Sequence, residues 1–189
     1  LDTETNGLNP EQHCIIAVGM RVTTADLEPI DELEVVVPFD MGGPDDRAFD
    51  GPARMMHIKS GLYDRCAILN MAKVTVLVHE AWRSVTAFLD KHAPLGVDMP
   101  LRPRLAGNNV GKFDMAFMTR ALGWSFVERV HYRTVDVSTL HETAKLYAPS
   151  MLEGCPGKRD VHMPLADIDD AIALFRHLRG AMGLDRVAA

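Results

Sequence analysis

The order of strand-like and helix-like segments is the feature of this 189-residue chain that most restricts its fold. Two β-branched apolar segments, 14–22 and 33–37, flank a turn at 24–29 and predict an antiparallel hairpin. Helical periodicity and short apolar runs then predict a helix at 70–92, a strand at 104–108, a helix at 114–122, a strand at 133–137 and a helix ending near residue 179. This order favours an α/β domain with a mixed sheet, in which antiparallel strands come first and parallel strands are reached through helices.

Turn and capping patterns occupy the intervals between these elements. Segment 40–52 is rich in Gly, Pro and Asp without periodicity and predicts a mobile loop. Thr139 with Glu142 three residues later fits a capping box that opens a helix. Segment 153–160 predicts a flexible link before the last helix.

Length and composition predict one domain over residues 1–189, because 47% hydrophobic residues can supply one sizeable core. No apolar run approaches the roughly 18 to 20 residues needed to span a bilayer, and the start of the chain lacks the pattern of a secretion signal. We therefore expect a cytoplasmic protein without membrane association. Asp2 falls in strand-like sequence at the first residues, so we expect the first strand to continue upstream of residue 1.

Four carboxylates and one histidine are the candidate catalytic residues, namely Asp2, Glu4, Asp114, His162 and Asp167. Asp2 and Glu4 are one residue apart and project from one strand face. Carboxylates gathered from separate segments repel one another unless a cation neutralises them, and Mg²⁺ and Mn²⁺ prefer oxygen ligands. We predict that the four carboxylates hold two such cations around a scissile phosphate, and that His162 takes a proton from the attacking water. Taken singly, each acid also fits a solvated strand or a helix N-terminus.

Charge is distributed unevenly along the chain. The formal net charge is −6, yet residues 1–100 hold 8 Lys and Arg against 16 Asp and Glu, whereas residues 101–189 hold 12 against 10. The basic side chains therefore lie in the half that carries Asp114 and His162. Without a long basic surface the chain is not expected to grip extended duplex, and a short single-stranded nucleic acid is the compatible partner.

Three motifs occur in a fixed order along the chain: Asp2-x-Glu4-Thr5-x-Gly7-Leu8, Asn109-x-x-x-Phe113-Asp114 and His162-x-x-x-x-Asp167. Together they resemble the exonuclease motifs of the DEDD superfamily with histidine in the third motif. The segments HYRTVDVSTL at 131–140 and HIKSGL at 57–62 are most similar to oligoribonucleases within that superfamily. The resemblance covers nearly the whole chain and is weakest at 40–52. It implies a ribonuclease-H-like fold, two Mg²⁺ or Mn²⁺ ions, and 3'-to-5' hydrolysis of short RNA to nucleoside 5'-monophosphates.

The same resemblance suggests residues for the two ends of a substrate. Leu8 is similar to an apolar wedge beside the 3'-terminal bases, with His57 nearby, while Arg133, Ser138 and Thr139 match positions that cap the far 5' phosphate. Family members pair as homodimers through the region that resembles 131–133. One departure concerns the stretch 107–114, which has an extra residue and lacks the family's serine, so strict preference for dinucleotides is not implied.

Three functions therefore stay open from the sequence. The favoured one is a small-RNA exoribonuclease, and the second is a DNA-directed proofreading or end-trimming exonuclease, because the Phe113-Asp114 ending resembles proofreading enzymes. The third is a catalytically silent nucleic-acid binding module. All five catalytic positions are filled, which counts against the third.

Overall fold

The computed structural model describes residues 1–68, 71–159 and 161–184, and for residues 71 and 72 it describes the backbone only. Asn70, the predicted first residue of the long helix, and Asp160, the predicted end of the link, lie outside the described residues.

A three-stranded antiparallel sheet forms the centre of the molecule. Its strands are β1 (Asp2–Thr5), β2 (Ile15–Thr23) and β3 (Pro29–Val36), in the order β1-β2-β3. Strand β2 reads Ile-Ile-Ala-Val-Gly-Met-Arg-Val-Thr, and its first six residues are buried, as expected of a β-branched central strand. The predicted hairpin is confirmed, and β3 begins earlier than predicted because Pro29 pairs with Thr23 at the hairpin end.

Two short parallel pairs extend this arrangement. Strand β4 (Phe39–Asp40) pairs with β5 (Ala67–Ile68), and β6 (Ala106–Gly107) pairs with β7 (Val135–Asp136). The backbone nitrogen of Leu1 donates to the carbonyl of Ala106 at 3.1 Å, which places β6 beside β1. The predicted α/β class with both antiparallel and parallel strands is confirmed, but the described strands form three small sheets rather than one continuous mixed sheet.

Eight helices are found among the described residues, and their bounds are α1 (Pro44–Arg47), α2 (Gly51–Ser60), α3 (Leu62–Cys66), α4 (Met71–His92), α5 (Asp114–Leu122), α6 (Trp124–Val127), α7 (Val137–Tyr147) and α8 (Pro164–Ala181). Short 3-10 turns occur at Met99–Leu101 and Pro149–Leu152. Within the described part of the chain, no helix combines the length and apolar character needed to cross a bilayer.

Two local predictions are wrong. Segment 40–52 contains helix α1 rather than only loop, and the buried Asp46 accepts hydrogen bonds from Tyr63 Oη and the backbone nitrogen of Gly42, both at 2.7 Å. Helix α7 begins at Val137 instead of after Thr139, because the Asp136 side chain caps it by accepting from the backbone nitrogen of Thr139 at 3.1 Å.

The sheet is covered on both sides. The larger core joins β2 and β3 to α4, α5 and α6 through buried residues that include Val18, Val85, Phe117 and Phe126. Helix α8 packs against β1 and β2. Its first turn approaches β2 at Gly19, where an added Cβ would lie 2.5 Å from Pro164 Cβ. Gly19 is therefore the position at which the absence of a side chain lets α8 meet the sheet.

Candidate active site

Strand β1 supplies the first two carboxylates. Alternation along the strand places Asp2 and Glu4 on one face, and Asp2 pairs with Gly19 of β2. Helix α8 begins against that same glycine. The packing of α8 on the sheet consequently brings a third segment of the chain to the face that carries the two acids.

Asp114 joins the site from the edge of β1. It is the first residue of α5 and is 2% exposed. Its Oδ1 atom accepts two hydrogen bonds from Thr3, one from the backbone nitrogen and one from the hydroxyl, each 2.7 Å long. Burial raises the pKa of Asp114 to about 6, and the bonds from Thr3 act in the opposite direction by favouring the carboxylate. Thr3 therefore fixes the position of the Asp114 side chain and stabilises its ionised form.

Asp167 and His162 complete the group. Asp167 lies in the first turn of α8 and is 4% exposed, as the helical pattern predicted. His162 precedes the helix and has φ of 51°, a left-handed conformation that non-glycine residues adopt rarely and often at functional sites. One ligand atom from each of Glu4, His162 and Asp167 lies within 4.8 Å of the others. Glu4, His162 and Asp167 therefore form one group of possible ligands, whereas Asp2 and Asp114 are not part of that group and are linked to it by charge, since both Asp114 and Asp167 act on Asp2.

The site carries more negative charge than its protein surroundings neutralise. Burial raises the pKa of Asp2 to about 7 and that of Glu4 to about 8, and repulsion from Asp114 and Asp167 adds to the effect on Asp2. Oδ1 of Asp167 is buried and accepts no hydrogen bond from the described groups, and the charged neighbour found for it is the Lys158 ammonium, 3.3 Å away. Buried carboxylate oxygens of this kind are hard-cation ligands, so the donor set fits Mg²⁺ or Mn²⁺.

His57 lies behind Glu4. Its ring is fully buried, its Nε2 donates to the Thr5 carbonyl at 2.9 Å, and the same nitrogen is 3.8 Å from Glu4 Oε2. Burial lowers the pKa of His57, which favours the neutral ring. The structure places this predicted substrate residue as a support for β1, and its contact with a substrate stays a prediction.

Leu8 lies at the tip of the turn that follows β1 and is 78% exposed. Asn6 is fully buried and anchors this turn to segment 40–52. Its side-chain Nδ2 donates to the backbone carbonyl of Asp45 at 2.9 Å, and its backbone carbonyl accepts from the backbone nitrogen of Asp50 at 2.8 Å. Its Oδ1 also accepts from the backbone nitrogen of Cys14 at 2.8 Å. The exposed side chain of Leu8 therefore extends from a turn whose backbone is held in place by hydrogen bonds.

The residues predicted to cap the 5' end lie outside the carboxylate cluster. Arg133 is exposed and stacks over the Tyr132 ring, with its guanidinium carbon 5.2 Å from the ring centroid. Ser138 donates to Asn108 Oδ1 at 3.4 Å, at the end of β6. A cavity of about 650 Å³ has both Asn108 and Asp167 in its lining and so joins this region to the acids.

Two residues of the site escaped prediction. Thr3 binds Asp114, and the only signal in the sequence is its place between the two strand acids. Lys158 Nζ lies 3.3 Å from Asp167 Oδ1, and the only signal is its spacing of four residues before His162 in a basic stretch.

Comparisons with known proteins agree with this geometry. No protein-family model matches the chain. An oligoribonuclease from Nitrosomonas eutropha is 33% identical over 181 residues, which cover 95% of this chain and 91% of that protein. The chain belongs to the oligoribonuclease family. Oligoribonucleases from Tropheryma whipplei and Azoarcus sp. are 33% and 34% identical to this chain. The matched regions span 95% of this chain in both cases, and 89% and 91% of the two relatives.

Membership of the oligoribonuclease family confirms the predicted enzyme class, a 3'-to-5' exoribonuclease, and the predicted ribonuclease-H-like α/β fold. It also settles the choice between a nuclease and a silent binding module in favour of the nuclease. The roles of individual residues stay predictions.

Proposed function

We propose that this protein removes nucleotides from the 3' end of short single-stranded RNA and releases nucleoside 5'-monophosphates. The observation that carries the proposal is the proximity of four acids in a chain that belongs to the oligoribonuclease family: Glu4 and Asp167 share one group of possible ligand atoms, and the charges of Asp114 and Asp167 both act on the half-buried Asp2. These acids are separated by up to 165 positions in the sequence, and each lies on or next to β1.

The four carboxylates would hold two divalent cations, Mg²⁺ or Mn²⁺. Such ions, when bound, stabilise the charge that develops on a transferring phosphoryl group and on its leaving oxygen. The support lies in the donor set: Glu4 and Asp167 are buried carboxylates with ligand oxygens within 4.8 Å of each other, and His162 offers a nitrogen in the same group.

The protein's own side chains would supply the remaining functions. His162 is half-buried beside Glu4 and Asp167, and it would accept the proton of the attacking water as a general base. Leu8 would pack against the 3'-terminal bases, while Arg133 with Ser138 and Thr139 would bind the 5' phosphate. A guanidinium and hydroxyl groups suit a terminal phosphate.

Three wider predictions belong to this proposal. The 189 residues would act as a single exonuclease domain, located in the cytoplasm. Two copies would pair through the region of 131–133, where Tyr132 is 65% exposed and its ring stacks on His131. Light scattering of the purified protein would measure the oligomeric state directly.

Hydrolysis of labelled oligonucleotides of two to twenty residues, RNA and DNA in parallel with Mg²⁺ or Mn²⁺, tests the function. We expect the shortest RNAs to be degraded fastest, from the 3' end. Asp114→Asn should abolish hydrolysis while circular dichroism shows an intact fold, and Asp98→Asn, at an exposed position, is the matched control. Equal turnover of long DNA and short RNA would instead support a DNA-directed exonuclease, and full activity of Asp114→Asn would contradict the metal site.

A further inference from the structure

Lys158 connects solvent to the buried carboxylates. Its side chain is 54% exposed, yet its ammonium nitrogen lies 3.3 Å from an oxygen of Asp167, whose side chain is 4% exposed. The same positive charge favours the ionised forms of Asp2 and Glu4. Lys158 is therefore an ammonium that acts on three of the four acids of the site.

The residue that follows Lys158 is fixed to helix α8. Arg159 donates to Asp170 through its backbone nitrogen at 2.9 Å and through Nε at 2.6 Å, and its Nη2 donates to the Ala166 carbonyl at 2.8 Å. Because this backbone is anchored, the Lys158 ammonium can leave Asp167 by rotation about its own side-chain bonds, without unfolding the segment.

We propose that Lys158 is an internal counter-ion of the carboxylate cluster, which competes with the divalent cation for Asp167 and is displaced when the cation binds. The inference rests on the proposed function, since it requires the metal site. An ammonium that is half exposed to water binds a carboxylate weakly. A divalent cation carries twice the charge and binds oxygen at about 2.0 to 2.1 Å, so it prevails at sufficient concentration.

The arrangement has two consequences for the protein. Without a cation, Lys158 reduces the repulsion among acids that would otherwise destabilise the packing of α8 on β1. When a divalent cation binds, it must break the ion pair between Lys158 and Asp167, and the displaced ammonium stays near the bound cation. Both effects lower the apparent affinity of the site for the cation. Both effects predict that removing the charge of Lys158 tightens metal binding.

Calorimetric titration with Mn²⁺ alone, at fixed ionic strength and pH, tests the proposal. We expect Lys158→Met and Lys158→Gln to bind Mn²⁺ about two to five times more tightly than the unmodified protein, as the strength of an exposed ion pair implies. Lys158→Arg, which keeps the charge, should stay close to the unmodified protein. Lys145→Met is the matched control, because Lys145 pairs with Glu142 within α7, away from the carboxylates.

Thermal unfolding gives a second readout that does not depend on activity. In the presence of a chelator, Lys158→Met should unfold at a lower temperature than the unmodified protein, and saturating Mn²⁺ should remove the difference. Unchanged or weaker Mn²⁺ affinity in both uncharged variants would overturn the role of Lys158 while leaving the metal site intact. Failure of the unmodified protein to bind Mn²⁺ would refute the proposed metal site itself, and this inference with it.

Discussion

Replacing Gly19 with alanine tests whether the close approach of α8 to β2 places Asp167 in the site. The new Cβ would lie 2.5 Å from Pro164 Cβ, 3.0 Å from the Pro164 carbonyl carbon and 3.2 Å from the Leu165 nitrogen. Carbon atoms in contact prefer about 3.5 to 4.0 Å, so the start of α8 must move by roughly 1 Å. Two of the three crowded atoms belong to the backbone, and no change of side-chain rotamer relieves them.

The displacement has separable effects on stability and on activity. Overpacking of this kind costs about 1 to 3 kcal/mol, which leaves a typical domain folded at 25 °C. A misplacement of about 1 Å in an active site can reduce the rate about 100-fold. We therefore expect Gly19→Ala to remain folded, to bind Mn²⁺ more weakly, and to lose about 100-fold in kcat/KM on short RNA.

The assay combines steady-state kinetics, Mn²⁺ calorimetry and circular dichroism at 25 °C. Gly51→Ala serves as the control, because nothing lies within 4 Å of a Cβ built at that glycine. If Gly19→Ala kept both the Mn²⁺ affinity and the activity of the unmodified protein, the position of Asp167 would not depend on this contact, and the reasoning would fail.

Three further predictions concern pH and single contacts. Because the folded state raises the pKa of Asp2 to about 7 and of Glu4 to about 8, the free energy of unfolding in a chelator should fall by a few kcal/mol as pH rises from about 5 to about 8. Urea titrations across that pH range measure this decrease, and a free energy of unfolding that does not change with pH would contradict the prediction. Added Mn²⁺ should reduce the decrease at the higher pH. Thr3→Val removes the hydrogen bond that the Thr3 hydroxyl donates to the Asp114 carboxylate, so the pKa of Asp114 should rise. The acidic limb of the plot of kcat against pH should then move to higher pH. An unchanged plot would disprove this prediction. Leu8→Ala should raise KM for a dinucleotide roughly fivefold, or about 1 kcal/mol, with unaltered Mn²⁺ affinity, whereas a loss of Mn²⁺ binding would mean that Leu8 supports the metal site instead.

Local patterns in the sequence predicted the elements whose burial is regular. The β-branched apolar residues of β2 favour a buried strand through local sequence alone. Gly123, which ends α5, adopts the positive φ that is common at the ends of helices. The spacing of Asp2 and Glu4 and the place of Asp167 in a first helical turn follow from the same local rules.

The sequence did not predict contacts made between distant segments. Helix α2 has a poorly amphipathic sequence, and the ring of His57 is buried there because it meets Thr5, 52 positions away. The capping box at Thr139 was a valid local pattern, but β7 must end at Asp136 to pair with Gly107, so Asp136 becomes the cap instead. The partnership of Thr3 with Asp114 spans 111 positions and depends on the assembled sheet.

The anchoring of the Leu8 turn through Asn6 has a consequence for how such an enzyme can diverge. Segment 40–52, the part least similar to oligoribonucleases, holds the carbonyl of Asp45 to which Asn6 donates. Substitutions there would tilt the exposed side chain of Leu8, which we propose packs against the terminal bases, without altering the acids themselves. If Leu8 has that role, variation in this segment would alter the preference for the 3' end and leave the hydrolytic chemistry unchanged.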